Sequence, residues 1–260
     1  MHADVSLSVF TKPWKMPLRE LGELVAGLGF EAIELPVRLG YQVEPESVWQ
    51  LPMAARQLAE SGVRIASVAG PTDEATIVAC AEAGVPTIRT MVQIGPDGYL
   101  ESVARAQATF DALLPALEKW GVTVGVQNHC GRFVTNASGL RQLVERYDPQ
   151  HVGVVWDAAH NALGGEEPEL ALDIVWSHLC LVNLKNAFWQ RVNGPEAEYA
   201  DWRPYWTSGR QGLACWPRVA AELERRGYQG VICLTAEYDD HSAVDRLVAE
   251  DLAFARSLFV

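Results

Sequence analysis

This 260-residue chain has no apolar run long enough to cross a bilayer, although 49% of its residues are hydrophobic. Nor is it rich in basic residues. Its 21 lysines and arginines face 33 aspartates and glutamates, for a formal net charge of −12. Affinity for a phosphate backbone rests on clustered Lys and Arg, so neither nucleic acid nor a membrane is expected as a partner. The five cysteines (Cys80, Cys130, Cys180, Cys215 and Cys233) are odd in number and contain no CxxC pair. That pattern argues for small buried thiols in a reducing compartment and against a disulfide scaffold. The start, MHADVSLSVF, lacks the basic residues and long apolar stretch of a secretory signal, so a cytoplasmic location is expected. No Pro/Ser/Gly-rich linker divides the chain, and residues 1–260 read as one domain.

What the chain does have is a repeated punctuation. A helical stretch ends at glycine and a short β-rich run follows, at Gly29, Gly62, Gly84, Gly121 and Gly227. The runs DVSLSVF, HVGVVWD and HLCLVNL add further strands, giving about eight. Leu18, Leu21, Val25 and Leu28 form one helical stripe, and Phe110, Leu113, Leu114 and Leu117 another. Alternating strands and helices predict a mostly parallel sheet. At this length they predict a single-domain (β/α)8 TIM barrel. The rival, an open doubly wound sheet, would favour a Gly-rich loop after the first strand, and FTKPWKMP is not one.

Strand side chains alternate, so parity separates the barrel interior from the helix-facing side. Val122, Val124 and Val126 face helices, which turns Gln127 and His129 inward. The same count turns Glu34, Asp157, Asn183, Lys185 and Glu237 inward, and pairs Cys180 with outward-facing Val182. Glu34, Gln127, Asp157, Asn183 and Glu237 thus stand at the C-terminal ends of five strands, where barrel active sites form.

The motifs VQNHCG, VGVVWDAAHNAL, LVNLKNA and GRQGLACWPRVAAELERRGYQGVICLTAEYD, in this order, resemble the sugar phosphate isomerase/epimerase superfamily of xylose isomerase-like TIM barrels. The resemblance implies a divalent metal (Mn2+, Mg2+ or Co2+) at Gln127, Asp157, Asn183 and Glu237. Two of those positions carry amides where the family has Glu and His, and Asn186 replaces its usual Asp. A site with only Asp157 and Glu237 charged would hold a metal weakly or not at all.

The resemblance also implies chemistry by proton abstraction next to a carbonyl, giving an enediolate. Gln127 cannot take a proton near neutral pH, so two-base epimerisation through positions 127 and 237 is disfavoured. The expectation is a sugar or keto-sugar isomerase/epimerase-like enzyme with Glu237 as base, His160 or His129 as acid and Lys185 steadying the oxyanion. A lyase or dehydratase working by β-elimination is the first alternative. A catalytically inactive sugar-binding barrel or partner subunit is the second.

Residues 186–216 read as an aromatic-rich loop at the barrel mouth. There Trp189 and Trp206, together with Trp14, would line a carbohydrate, and the same aromatics would also serve a homo-oligomer contact. Glu34 and His129 are expected to bind substrate, and Arg210 to meet an anion on it.

Overall fold

The computed structural model describes residues 5–259. Strand β1 (Ser6–Phe10) starts inside the run DVSLSVF, whose Asp4 lies outside the described residues. It is followed by α1 (Leu18–Leu28), β2 (Ala32–Pro36), α2 (Leu51–Ala59), β3 (Arg64–Ala69) and α3 (Glu74–Ala83). Next come β4 (Thr87–Thr90), α4 (Tyr99–Trp120), β5 (Thr123–Gln127), α5 (Ala137–Val144) and β6 (Val152–Asp157). The chain continues through α6 (Ala158–Leu163), α7 (Pro168–Val175), β7 (Leu179–Leu184), β8 (Asn186–Arg191) and β9 (Trp202–Thr207). It ends with α8 (Trp216–Arg225), β10 (Val231–Leu234) and α9 (Val244–Leu258).

Eight strands close a parallel barrel in the order β1-β10-β7-β6-β5-β4-β3-β2, as expected of a single-domain TIM barrel. The glycine punctuation has a conformational cause. At Gly29 and Gly84 the chain leaves its helix with φ of 96° and 69°, a left-handed turn that a Cβ would oppose. Among the described residues, no helix is long and apolar enough to cross a membrane.

Alternation divides the packing into two layers. Val9, Ile33, Val68, Ile88, Val124, Val154, Val182 and Ile232 are all fully buried in one core shared with the helices. Phe10, Ala69, Val155, Leu181 and Cys233 fill the barrel interior. Cys180 departs from the expected parity. It packs against this inner group because the β6–β7 register slips between Val154 and Val155.

Residues 186–216, expected as a loop, contain an antiparallel hairpin in which β8 pairs with β9. Phe188 stacks on its cross-strand partner Tyr205 at 5.1 Å, while Ala187 and Trp206 pack beside α6. Asn186 ties the hairpin down. Its Nδ2 donates to the carbonyls of Gly209 and Ala214, and its Oδ1 accepts from the Ala187 and Ala214 amides. An aspartate, the usual family residue, could make only the two acceptor contacts and would bury a charge. Asn186→Asp is therefore expected to cost about 3–5 kcal/mol of stability. A loss below about 1 kcal/mol in denaturant unfolding, the scale of one ordinary hydrogen bond, would refute this reading.

Candidate active site at the strand ends

A polar chain crosses the C-terminal ends of β2, β4, β5 and β6. Glu34 is fully buried and receives Arg89 through Nε at 2.8 Å and Nη2 at 2.6 Å, with the Ser67 hydroxyl at 3.1 Å. Arg89 Nη1 donates onward to Gln127 Oε1, and Gln127 Nε2 donates to Asp157 Oδ2 at 2.9 Å. Asp157 Oδ1 caps α6 by accepting from the amides of Ala159 and His160, both at 3.0 Å. Asn128, fully buried, clamps the Asp157 main chain through both ends of its carboxamide. Glu34, expected to bind substrate, is instead the counter-ion of Arg89.

Burial raises the Asp157 pKa to about 6, against the lowering effects of Lys185 and the His160 amide. An unfolded aspartate titrates near ~3.9. The native state therefore binds this proton more tightly, and stability falls as pH rises through the window between the two values. Asp251, also raised to about 6 chiefly by burial, acts in the same direction. Going from about pH 7 to about pH 5 should stabilise the native protein by roughly 1 kcal/mol more than it stabilises Asp157→Asn. Parallel melting-temperature profiles for the two proteins would contradict this.

Glu237 lies beyond the end of β10, where strand parity no longer applies. Ala236 delivers it with φ of 50°, the only non-glycine residue at positive φ among those described. Lys12 Nζ donates to one Glu237 oxygen and Lys185 Nζ to the other at 2.7 Å. Burial alone would raise this carboxyl, but the two ammonium groups outweigh it and hold the pKa at about 2. So strongly held a carboxylate is a poor proton acceptor, which counts against the expectation that Glu237 is the base. Lys185 also lies under the Trp206 ring, 3.7 Å from its centroid.

His129 and His160 face one another with ring centroids 4.0 Å apart. One residue sets both of their tautomers. The Cys130 carbonyl can only accept, so His129 Nδ1, 2.7 Å away, carries the proton. The Cys130 amide donates to His160 Nδ1 at 3.1 Å, so His160 carries its proton on Nε2. His129 thus keeps a free lone pair on Nε2, and His160 keeps an N–H donor there. Burial lowers both pKa values, with further lowering from Lys185, so both rings are neutral near pH 7. His160 adjoins Trp206 at 5.1 Å, which places the imidazole pair and Lys185 on the same indole.

A divalent metal at positions 127, 157, 183 and 237 would need oxygens that are already engaged. Both Glu237 oxygens accept from ammonium groups, both Asp157 oxygens accept from N–H donors, and Gln127 Oε1 accepts from Arg89. Only Asn183 is uncommitted, with both carboxamide atoms buried and without a partner among the described residues. The four do not fit a +2 ion. Ligand atoms of His129, Cys130 and His160 also lie within 4.8 Å of one another. These three are the donor set that could gather around a metal, with Cys130 and the two imidazoles as its ligands.

The aromatic expectations divide. Trp206 lines a cavity of about 270 Å³ together with Lys12, Tyr41 and Glu237. Trp189 lies at the hairpin, its indole N–H donating to the Leu163 carbonyl, and is 43% exposed. Trp14 is buried in the core, its indole donating to Asp245 at 2.8 Å, and so lines no wall. Arg210 covers the Phe254 ring on α9 at 3.6 Å. The sequence reading missed Lys12, Arg89, Asn128 and the Cys130 main chain. Arg89 was within reach, since Ile88 faces the helices and alternation turns its neighbour inward. A larger cavity, about 560 Å³, lies at the opposite end of the barrel beside Gly29 and Phe259, away from this chemistry.

Over residues 23–258 the chain matches the family described as xylose isomerase-like TIM barrel. No curated protein matches it in sequence. Among solved structures, 3-keto-D-glucoside 4-epimerase from E. coli superposes with a TM-score of 0.74 at 14% identity, over 97% of this chain and 99% of that one. The probable 3-DHS dehydratase AsbF from Bacillus anthracis superposes with a TM-score of 0.72 at 14% identity, over 97% and 99%. The IOLI protein with a binding zinc atom superposes with a TM-score of 0.73 at 14% identity, over 98% and 99%. At such identities the likeness is one of fold.

Proposed function

The chain belongs to the xylose isomerase-like TIM barrel family, and from that premise we propose an enzyme of enediolate chemistry on a keto-sugar, with fixed ammonium groups supplying the positive charge. Removing a proton next to a carbonyl places negative charge on oxygen, and rate depends on cations already aimed at it. The observation that carries the reading is the pair of ammonium groups, Lys12 and Lys185, sharing Glu237 at the strand ends. Lys185 is the nearer electrophile because it is buried, with 6% of its side chain exposed against 42% for Lys12, and charges act more strongly out of water.

His129 Nε2 is the base in this reading, since a neutral imidazole accepts a proton far more readily than a carboxylate bridging two ammonium groups. His160 Nε2–H donates a hydrogen bond to the oxygen that gains charge, and the proton held on His129 Nε2 is the one returned to carbon or passed to the leaving group. Both sit on one side of the site, which suits either of two outcomes. The proton is returned on the same face, as in an isomerase, or a β-substituent leaves, as in a dehydratase. An epimerase and a dehydratase both appear among the structures sharing this fold. The unpartnered Asn183 carboxamide, donor and acceptor at once, suits a sugar hydroxyl.

The test is deuterium uptake from D2O into a panel of ketoses and keto-glycosides, followed by NMR with a chelator present. Uptake that survives chelation supports the proposal. Uptake that appears only after Mn2+ is supplied, or none with any candidate, defeats it. Ligand binding without uptake would favour the sugar-binding barrel.

A further inference from the structure

A second cavity, about 440 Å³, opens on the β2–β4 side of the mouth, lined by Val37, Arg38, Gly70, Arg89, Met91 and Phe133 among others. Its lining contains two arginines and no carboxylate. Both guanidinium groups lie on one aromatic ring, Arg89 at 4.6 Å and Arg38 at 5.6 Å from the Phe10 centroid. Their charge balance differs. Arg89 is neutralised by its bidentate pairing with Glu34. Arg38 has no carboxylate within ion-pair distance among the described residues, although it is half-buried. Burial first, and the Arg89 charge second, lower its pKa, and these outweigh the raising effect of Glu237, Tyr41 and Glu34, none of which pairs with it.

We propose that Arg38 forms an anion subsite of the active site and takes a carboxylate carried by the substrate, which makes the substrate a keto-sugar acid. This rests on the enediolate reading for the identity of the reacting carbon, but not for binding. Three features support it. The cavity adjoins the chemistry, since Phe133 in its wall meets the His129 ring edge-on at 4.6 Å, and Arg89 donates to Gln127. One guanidinium with no carboxylate paired to it matches a carboxylate monoanion better than a phosphate dianion, and its fork fits a carboxylate with two parallel hydrogen bonds. A chain of net charge −12 repels anions at long range, so an anionic substrate requires a local cation of this kind.

The test is calorimetric binding of 2-keto-D-gluconate, 5-keto-D-gluconate, D-fructose and D-fructose 6-phosphate to the native protein and to Arg38→Ala and Arg38→Lys. At least one keto acid should bind about tenfold or more tighter than D-fructose, the scale of one charge-assisted pair. Arg38→Ala should abolish that preference while leaving the affinity for D-fructose unchanged, and Arg38→Lys should keep part of it. The proposal is overturned if neither keto acid outbinds D-fructose, if Arg38→Ala retains the preference, or if the sugar phosphate binds tightest. Deuterium uptake in the same samples keeps the two readings apart. Arg38-dependent binding of a keto acid without uptake upholds the subsite and counts against the enediolate chemistry. Uptake confined to neutral ketoses does the reverse.

Discussion

Lys185→Met is expected to slow deuterium uptake into the substrate by about 10²- to 10³-fold, the usual cost of removing one preorganised oxyanion partner. The methionine keeps most of the volume and removes only the charge. Glu237 retains Lys12, so the carboxylate keeps one partner, but Lys185 is the largest of the charges favouring ionised Glu237 and Asp157 and the melting temperature should fall. The loss should fall on turnover more than on substrate affinity, because an ammonium that meets developing charge acts chiefly in the transition state. Lys12→Met should cost less, since Lys12 is much more exposed and its field is screened by water. Two results would remove Lys185 from the mechanism: uptake within about threefold of native, well short of that cost, or full rescue of Lys185→Met by Mn2+.

Gln127→Glu carries the second large effect, on stability. Gln127 Nε2 donates to Asp157 Oδ2 at 2.9 Å, so a glutamate there would set two carboxylate oxygens against each other in a buried site. Arg89 already serves Glu34 and can offset only part of the added charge. A loss of about 3–5 kcal/mol near neutral pH is expected, the range for an uncompensated buried charge. One carboxyl of such a pair must hold a proton, which raises its folded-state pKa above the unfolded value. The sign of the linkage follows: the deficit is greatest at high pH and shrinks as pH falls. Denaturant unfolding of native protein and Gln127→Glu from neutral to acidic pH measures it. A deficit that does not change with pH would mean the amide is not there to avoid a second negative charge.

The barrel was legible in the sequence because two local signals agree in it. Apolar alternation fixes which face of each strand meets the helices, and glycine marks the helix ends where φ turns positive. The site was read most directly where residues lay on strands, while His129, Lys185 and His160 stand just off them and came from extending the alternation or from the family motif. Asp157 and Asn183 lie side by side in the β6–β7 register, as parity requires. Glu237 reaches the site through the left-handed Ala236, which no alternation rule anticipates. Lys12 was hidden for a similar reason, since it follows β1 on a loop, and loops carry no periodicity. Cys130 was hidden differently: it acts through its main chain, and side-chain identity is blind to that. Arg210 misled because a cation near the mouth in sequence can still find an aromatic ring on the outer helix layer.

The two ammonium groups on Glu237 have a consequence for how the protein lives in its medium. Their charge is covalently attached, so in the chemistry proposed above it would arrive with the folded chain and call for no metallation step. It competes with no other protein for scarce ions and cannot be swapped for the wrong one. It also cannot expand its coordination shell or trade ligands during turnover, so whatever selectivity the pocket has must be written in its shape and side chains.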